Sequence, residues 1–201
     1  MSEKHISLKY GEYYHIYNRG INSCPLFKET TNYEHFLRLY DHYISPVADT
    51  FAWVLMGNHF HLLVRIKEQR DIDFISTEDG ILSPKQYKPI NQFKHLFNAY
   101  AQAFNKKYKR TGGLFETPFE RILIKSGIYF KRVVMYIHNN PVKHGFCSHT
   151  QEYPWSSYNT CLSDKPTQLQ REMVLGWFGN REYFKLMHSD FDINENLAEI
   201  T

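Results

Sequence analysis

The sequence predicts an α+β fold: a ferredoxin-like sandwich with an antiparallel sheet, helices on one face and a C-terminal helical tail. Three observations predict it. Stretches of period two and of helical period follow in the order strand, helix, strand, strand, helix, strand, helix. The middle two strands are separated only by Gly57-Asn58, which reads as a hairpin turn. Split β-α-β units in this order give an antiparallel sheet with helices packed against it.

The elements follow in order. Residues 12–18 (EYYHIYN) are aromatic and β-branched and close on Arg19-Gly20, a first strand and turn. Thr30-Thr31-Asn32 offers helix N-cap chemistry. Phe36, Leu37, Leu39, Tyr40 and Tyr43 follow at helical spacing, and the run ends before Pro46. Residues 50–56 and 59–66 form the hairpin strands. Residues 67–89 are polar, carry Gly80, Pro84 and Pro89, and read as a long mobile loop. From 90 to 108, Phe93, Leu96, Phe97, Tyr100, Ala101 and Phe104 make the stripe of an amphipathic helix. It ends in Lys106, Lys107, Lys109 and Arg110, then Thr111-Gly112-Gly113. Residues 114–124 read as the last strand. Ser126 can cap a helix that runs to about Asn140 and stops at Pro141. The tail carries a Trp/Tyr/Pro-rich stretch, then helical spacing through Leu169, Met173, Leu175, Trp177, Tyr183, Phe184 and Leu186. The last dozen residues are acidic and read as frayed.

At 201 residues, one domain with an appendage is the natural size. A net charge of +3 permits nucleic-acid binding without demanding it. Cys24, Cys147 and Cys161 are odd in number and far apart, which argues against a thiolate zinc site and for a reduced, cytoplasmic setting. The N-terminal residues lack an apolar signal core, and no apolar run approaches a membrane span.

Two constellations carry possible chemistry. His59 and His61 flank Phe60 in a strand, so their side chains point the same way, roughly 6–7 Å apart, with Phe60 turned into a core. Two imidazoles on one strand face can bind a divalent metal. Eleven histidines in 201 residues make such a triplet a chance-level event, so two polar side chains on a half-exposed strand is the plainer reading. Tyr136 and Asn140, four apart in the last helix, share one side of it. A core hydrogen-bonding pair is the plainer reading; a nucleophile with an oxygen ligand for a metal is the other. His138 and His144 read as surface or DNA-facing. The basic run 106–110 suits both a helix C-terminus and a phosphate patch.

Five stretches together resemble the REP-associated tyrosine transposases of the single-tyrosine HUH superfamily, in which two histidines flank one hydrophobic residue. Residues 54–63 (VLMGNHFHLL) resemble the strand motif, and 13–20 (YYHIYNRG) the first strand. Residues 104–115 (FNKKYKRTGGLF) resemble the segment after the second helix, 136–145 (YIHNNPVKHG) the tyrosine-bearing helix, and 153–158 (YPWSSY) the aromatic C-terminal motif. The resemblance spans about residues 10–190. Gly57 stands where the family usually has proline.

The resemblance implies a transposase-like domain over 1–150 and an aromatic, helical extension over 151–201 packed on it. It implies a metal-dependent single-stranded DNA endonuclease and strand transferase acting near hairpins. Tyr136 would be the nucleophile, forming a 5′-phosphotyrosine link. His59, His61 and Asn140 would hold Mg²⁺ or Mn²⁺, with no nucleotide cofactor. Tyr129, two turns before Tyr136, is the rival nucleophile. Lys106, Lys107, Lys109, Arg110, Arg121 and Lys143 are candidates for DNA phosphates, with Arg19 and Arg65 near strand ends. The expected partner is single-stranded or hairpin DNA, with no membrane association and a monomeric, cytoplasmic protein that is nucleoid-associated when bound to DNA. Two other readings are a catalytically silent DNA-binding module of the same fold and a water-using phosphodiesterase with Tyr136 structural. Trp155 and Tyr158 read as base-stacking or, more simply, as tail packing.

Overall fold

The computed structural model describes residues 6–73, 87–125 and 127–191. Four strands, β1 (Tyr13–Arg19), β2 (Ala48–Met56), β3 (His59–Ile66) and β4 (Glu120–Ile124), form one antiparallel sheet in the order β2-β3-β1-β4. Helices α1 (Thr30–Tyr43) and α3 (Pro89–Tyr108) follow β1 and the hairpin, and α4 (Gly127–Lys143) follows β4. A short α2 (Gln69–Asp73) and three tail helices, α5 (Tyr158–Leu162), α6 (Arg171–Phe178) and α7 (Arg181–Ser189), complete the described chain.

Strand alternation decides which core each residue joins. Phe60, Leu62, Val64 and Ile66 of β3 and Tyr14 and Ile16 of β1 pack with Phe36 and Tyr40 of α1 and Phe93, Phe97 and Tyr100 of α3. Each fully buried apolar side chain there stabilises the fold by roughly 1.5–3 kcal/mol. The opposite face is covered too: Val54, Met56 and Leu63 meet Val133, Val134, Tyr136 and Ile137 of α4 and the tail residues Tyr158, Val174 and Phe184. Helices on one face therefore describes α1 and α3, while α4 and the tail lie on the other. A bulge between Thr50 and Ala52 of β2 adds Phe51 to this second core, where its ring stacks on Trp177 at 5.1 Å.

The tail straps the free edge of β2. Leu55 N–H donates to the Trp155 carbonyl, Ser157 N–H to the Trp53 carbonyl, and the Tyr153 hydroxyl to the Leu55 carbonyl. Trp155 stacks on Tyr33 at 4.4 Å and Tyr158 is buried, so both aromatics pack the tail. A buried relay fastens α7 to α4 and the strap. His188 Nδ1–H donates to the Phe184 carbonyl, which leaves its Nε2 to accept from His138 Nδ1–H, and His138 Nε2 accepts from the Ser157 hydroxyl. His138 is thus an interior residue, not the surface or DNA-facing one expected, because this relay satisfies both its nitrogens.

Several boundaries differ from expectation. The last strand begins at Glu120, not near 114, because Pro118 offers no ladder N–H; only Phe115 bridges, to Gly20. Helix α4 runs past Pro141 to Lys143. Proline this close to the end forfeits one backbone bond. The helix closes instead on Gly145 (φ 71°), with Phe146 N–H to the Pro141 carbonyl and Gly145 N–H to that of Val142. Glu29, not a threonine, precedes α1, and the Asn32 amide oxygen accepts from Lys28 N–H. Within 67–89, α2 replaces loop at the start and Pro89 opens α3; residues 74–86 of that expected loop, the Ser126 cap and the last ten residues lie outside the described residues.

The hairpin turn is pinned from outside: the Gly57 carbonyl accepts from both Leu26 and Phe27 N–H, and Gly20 N–H donates to the Asn58 carbonyl. Glycine is required at Gly20 by the turn that follows it, since a Cβ there would lie 2.1 Å from the Cys24 carbonyl oxygen; one at Gly57 would meet nothing within 4 Å. Gly20→Ala is expected to cost about 1–3 kcal/mol in urea unfolding, whereas Gly57→Ala should stay within about 0.5 kcal/mol. Equal effects would contradict this account of the turn.

Candidate active site

Register brings the histidines together. Tyr17 pairs with His61 and Arg19 with His59 across β1 and β3, so His15, Tyr17, His59 and His61 share the α4 face of the sheet. The ring centroids of His59 and His61 are 5.3 Å apart, edge to face. His59 Nδ1 lies 2.7 Å from Asn58 Oδ1, and His61 Nδ1 lies 3.0 Å from His15 Nε2. Each histidine of the pair therefore has its Nδ1 engaged, which leaves Nε2 as the nitrogen available to a ligand.

Helix α4 lowers its tyrosine onto this face. The Tyr136 ring sits edge-on to His61 at 5.4 Å and to His15 at 5.8 Å, and only 6% of the residue is exposed. Asn140, one turn on, donates its amide N–H to the Tyr136 carbonyl at 3.2 Å. Its side chain also interacts with both His59 and the Tyr136 phenol. His59, His61, Tyr136 and Asn140, far apart in sequence, are brought together within one chain. Tyr129 sits in the first turns of α4, two turns from Tyr136.

Burial sets the electrostatics. It holds His15 at about 3 and His59 at about 4, where the charges of His144 and Arg19 also lower it, against a hydrogen bond that His59 gives to Asn140, which raises it. Burial and then His15 and His59 keep His61 well below 6.5. All three imidazoles are neutral at pH 7, the form that binds a metal. Burial raises the Tyr136 phenol, against a lowering hydrogen bond from Asn140. Burial, then Glu120 and Tyr136, push Tyr17 up to about 12.

These donors fit a divalent cation: two neutral imidazoles with Nδ1 already bonded, as in many metal-bound histidines, and one amide oxygen. Nitrogen ligands suit Mn²⁺ better than Mg²⁺, and Zn²⁺ also. Among the described residues, no three His, Cys, Asp or Glu side chains make a site on their own. A cation would draw its remaining ligands from Asn140 and from a bound phosphate.

The expected phosphate-binding residues separate. Arg19 lines an open groove of about 790 Å³ with Lys28, His59, His144 and Phe146. Exposed Lys143 ends α4 beside His144. Lys106, Lys107, Lys109 and Arg110 cluster at the end of α3, next to that groove through Lys28, whose ammonium lies 4.4 Å from the Tyr108 ring centre. Lys107 is paired with Glu29, and Arg110 donates to Asn105. Arg65 bonds Glu68 and the Gly11 carbonyl at the far end of β3, and Arg121 bonds the Ile6 and Phe119 carbonyls. Neither lies in the groove.

His15, Tyr17 and exposed His144, whose ring lies 5.2 Å from that of His59, join the site without having been singled out for it. The signal for the first two was present in the period of residues 13–17. His144 arrives only through the turn that ends α4.

No protein-family model matches the chain. A protein of Haemophilus influenzae (strain ATCC 51907 / DSM 11121 / KW20 / Rd), assigned by name to the REP-associated tyrosine transposases, is 26% identical over 116 residues, 55% of this chain and 59% of that protein. The match thus spans under two thirds of that relative. The solved structure of a REP-associated tyrosine transposase bound to a REP hairpin superposes with a TM-score of 0.61 and 18% identity, covering 83% of this chain and 89% of that one. The chain resembles the REP-associated tyrosine transposases. The sequence resemblance and the shared α+β fold agree. No helix among the described residues is long and apolar enough to cross a membrane.

Acid should unfold the metal-free protein early. His15, His59, His61, His138 and His188 all have folded pKa values below the ordinary 6.5. Below pH 6.5 the unfolded chain takes up protons that the folded chain refuses. Stability is therefore complete above that pH and lost as pH falls toward 4, by up to about 1.4 kcal/mol per pH unit for each group. The urea midpoint should drop steeply between pH 7 and 5. A constant midpoint would mean these histidines are not held neutral.

Proposed function

We propose that this chain is a REP-associated tyrosine transposase, a metal-dependent single-stranded DNA endonuclease and strand transferase acting near hairpins through Tyr136. The observation that carries it is the convergence of Tyr136 and Asn140 on the His59/His61 face. The neighbouring structure's REP hairpin supports hairpin DNA as the substrate. In this reading residues 1–150 are the transposase-like domain and the tail from 151 is its extension. Residues converging within one chain support a monomer, and in this reading it acts in the cytoplasm on nucleoid DNA.

The chemistry follows from the residues. The Tyr136 hydroxyl oxygen attacks the scissile phosphorus, the bond from phosphorus to the 3′ oxygen breaks, and a 5′-phosphotyrosine link forms. The phenolic proton is lost and the leaving 3′ oxygen gains one, so protons balance. Ionising a phenol of pKa near 10 at pH 7 costs about 4 kcal/mol, and burial adds to that. His59, His61 and Asn140 would hold the cation, whose charge would offset this cost and polarise the phosphate. Asn140 orients the phenol, and His59 and His61 stay neutral. Arg19 and Lys143 hold flanking phosphates, with Lys106, Lys107, Lys109 and Arg110 further along the strand. Arg65 and Arg121, tied to backbone carbonyls, have the weakest support as DNA contacts. The link conserves phosphodiester energy, so rejoining needs no nucleotide cofactor.

Labelled single-stranded hairpin DNA incubated with the protein and Mn²⁺ should yield a denaturation-resistant adduct. Tyr136→Phe should abolish it, and His59→Ala should slow its formation at least about 100-fold. Cleavage that persists in Tyr136→Phe would favour hydrolysis by water. Binding with no cleavage under any divalent metal would favour a silent DNA-binding module.

A further inference from the structure

We propose that His15 is a positioning residue, which accepts a hydrogen bond from His61 Nδ1–H and so keeps the His61 Nε2 lone pair free for a ligand. The inference rests on the reading of His61 as a metal ligand. The two rings stack, 5.2 Å apart and 26° from parallel, with His15 Nε2 3.0 Å from His61 Nδ1. His15 is 1% exposed, so water does not compete for this bond. The register fixes it: Tyr17 lies opposite His61, which places His15 diagonally across the β1–β3 ladder on the same face.

Direction matters. If His15 donated, the His61 proton would sit on Nε2 and block a cation there. If His61 donates, Nε2 is open, and the proton of His15 lies on its own Nδ1. That atom is buried and has no hydrogen-bond partner among the described residues. Such an orphan is costly in a core. It is accounted for if the His15 ring is retained for what its Nε2 does to His61. Asn58 stands in the same relation to His59, bonding its Nδ1 from the turn. Orienting partners of this kind are worth 10–100-fold in metal affinity.

The test is Mn²⁺ affinity, read from the EPR signal of free Mn²⁺ in the DNA-free protein, with urea unfolding run in parallel. His15→Phe keeps a planar ring without the acceptor and should weaken Mn²⁺ binding about 10–100-fold. His15→Gln, whose side-chain oxygen reaches about as far as Nε2, should recover most of the affinity. His15→Asn is too short to reach and serves where the Phe variant fails to fold; it should behave like it. Wild-type affinity in folded His15→Phe or His15→Asn would overturn the positioning role, provided His61→Ala loses Mn²⁺. If His61→Ala binds Mn²⁺ as the wild type does, the metal site itself is wrong and the inference falls with it.

Discussion

The two-residue period of β3 is the constraint on which the rest depends. Phe60, Leu62 and Val64 go into one core and His59, His61 and Leu63 face the other, with both sides covered by helices. A strand buried on both faces cannot slip by one residue without driving imidazoles into the α1–α3 core and phenylalanine under α4. Hydrophobic packing on the far side thus fixes the histidine geometry on the near side. The pinned turn at Gly57-Asn58 and the strap on β2 reinforce the same register.

The burial that fixes this geometry also sets its chemistry. A low-dielectric site penalises charge of either sign, so it keeps His15, His59 and His61 neutral and Tyr136 protonated. Neutral imidazoles are ready ligands, whereas a neutral phenol is a poor nucleophile. The two facts fit one account: a site built to gain its charge from a cation and a DNA phosphate. The relay through His138, His188 and Ser157 shows what a histidine cluster looks like when its role is structural. Every nitrogen in it has a partner, and it fastens the tail to α4. At the active face His15 Nδ1 has none among the described residues.

Much of this was legible in the sequence. The strand order, the 57–58 turn and the amphipathic stripe of α3 follow from local period and turn chemistry. The placing of Tyr136 over the histidines needed the family resemblance, because no local rule says where a helix docks. His15 escaped notice because one histidine in an aromatic strand looks like core; its meaning comes from a register set 46 residues away. Nothing local in the sequence marks His138 as interior, because its partners Ser157 and His188 lie in the tail. Pro141 reads as a stop by the breaker rule, which ignores a proline placed where only the final turn remains.

The most direct measurement of the central claim is peptide mapping of the protein–DNA adduct by mass spectrometry after nuclease and trypsin digestion. Cleavage after Lys131 and Arg132 separates Tyr129 from Tyr136. The account predicts a nucleotide mass on the peptide of residues 133–143, at Tyr136. The same mass on the peptide carrying Tyr129 or on the one carrying Tyr17 would contradict it.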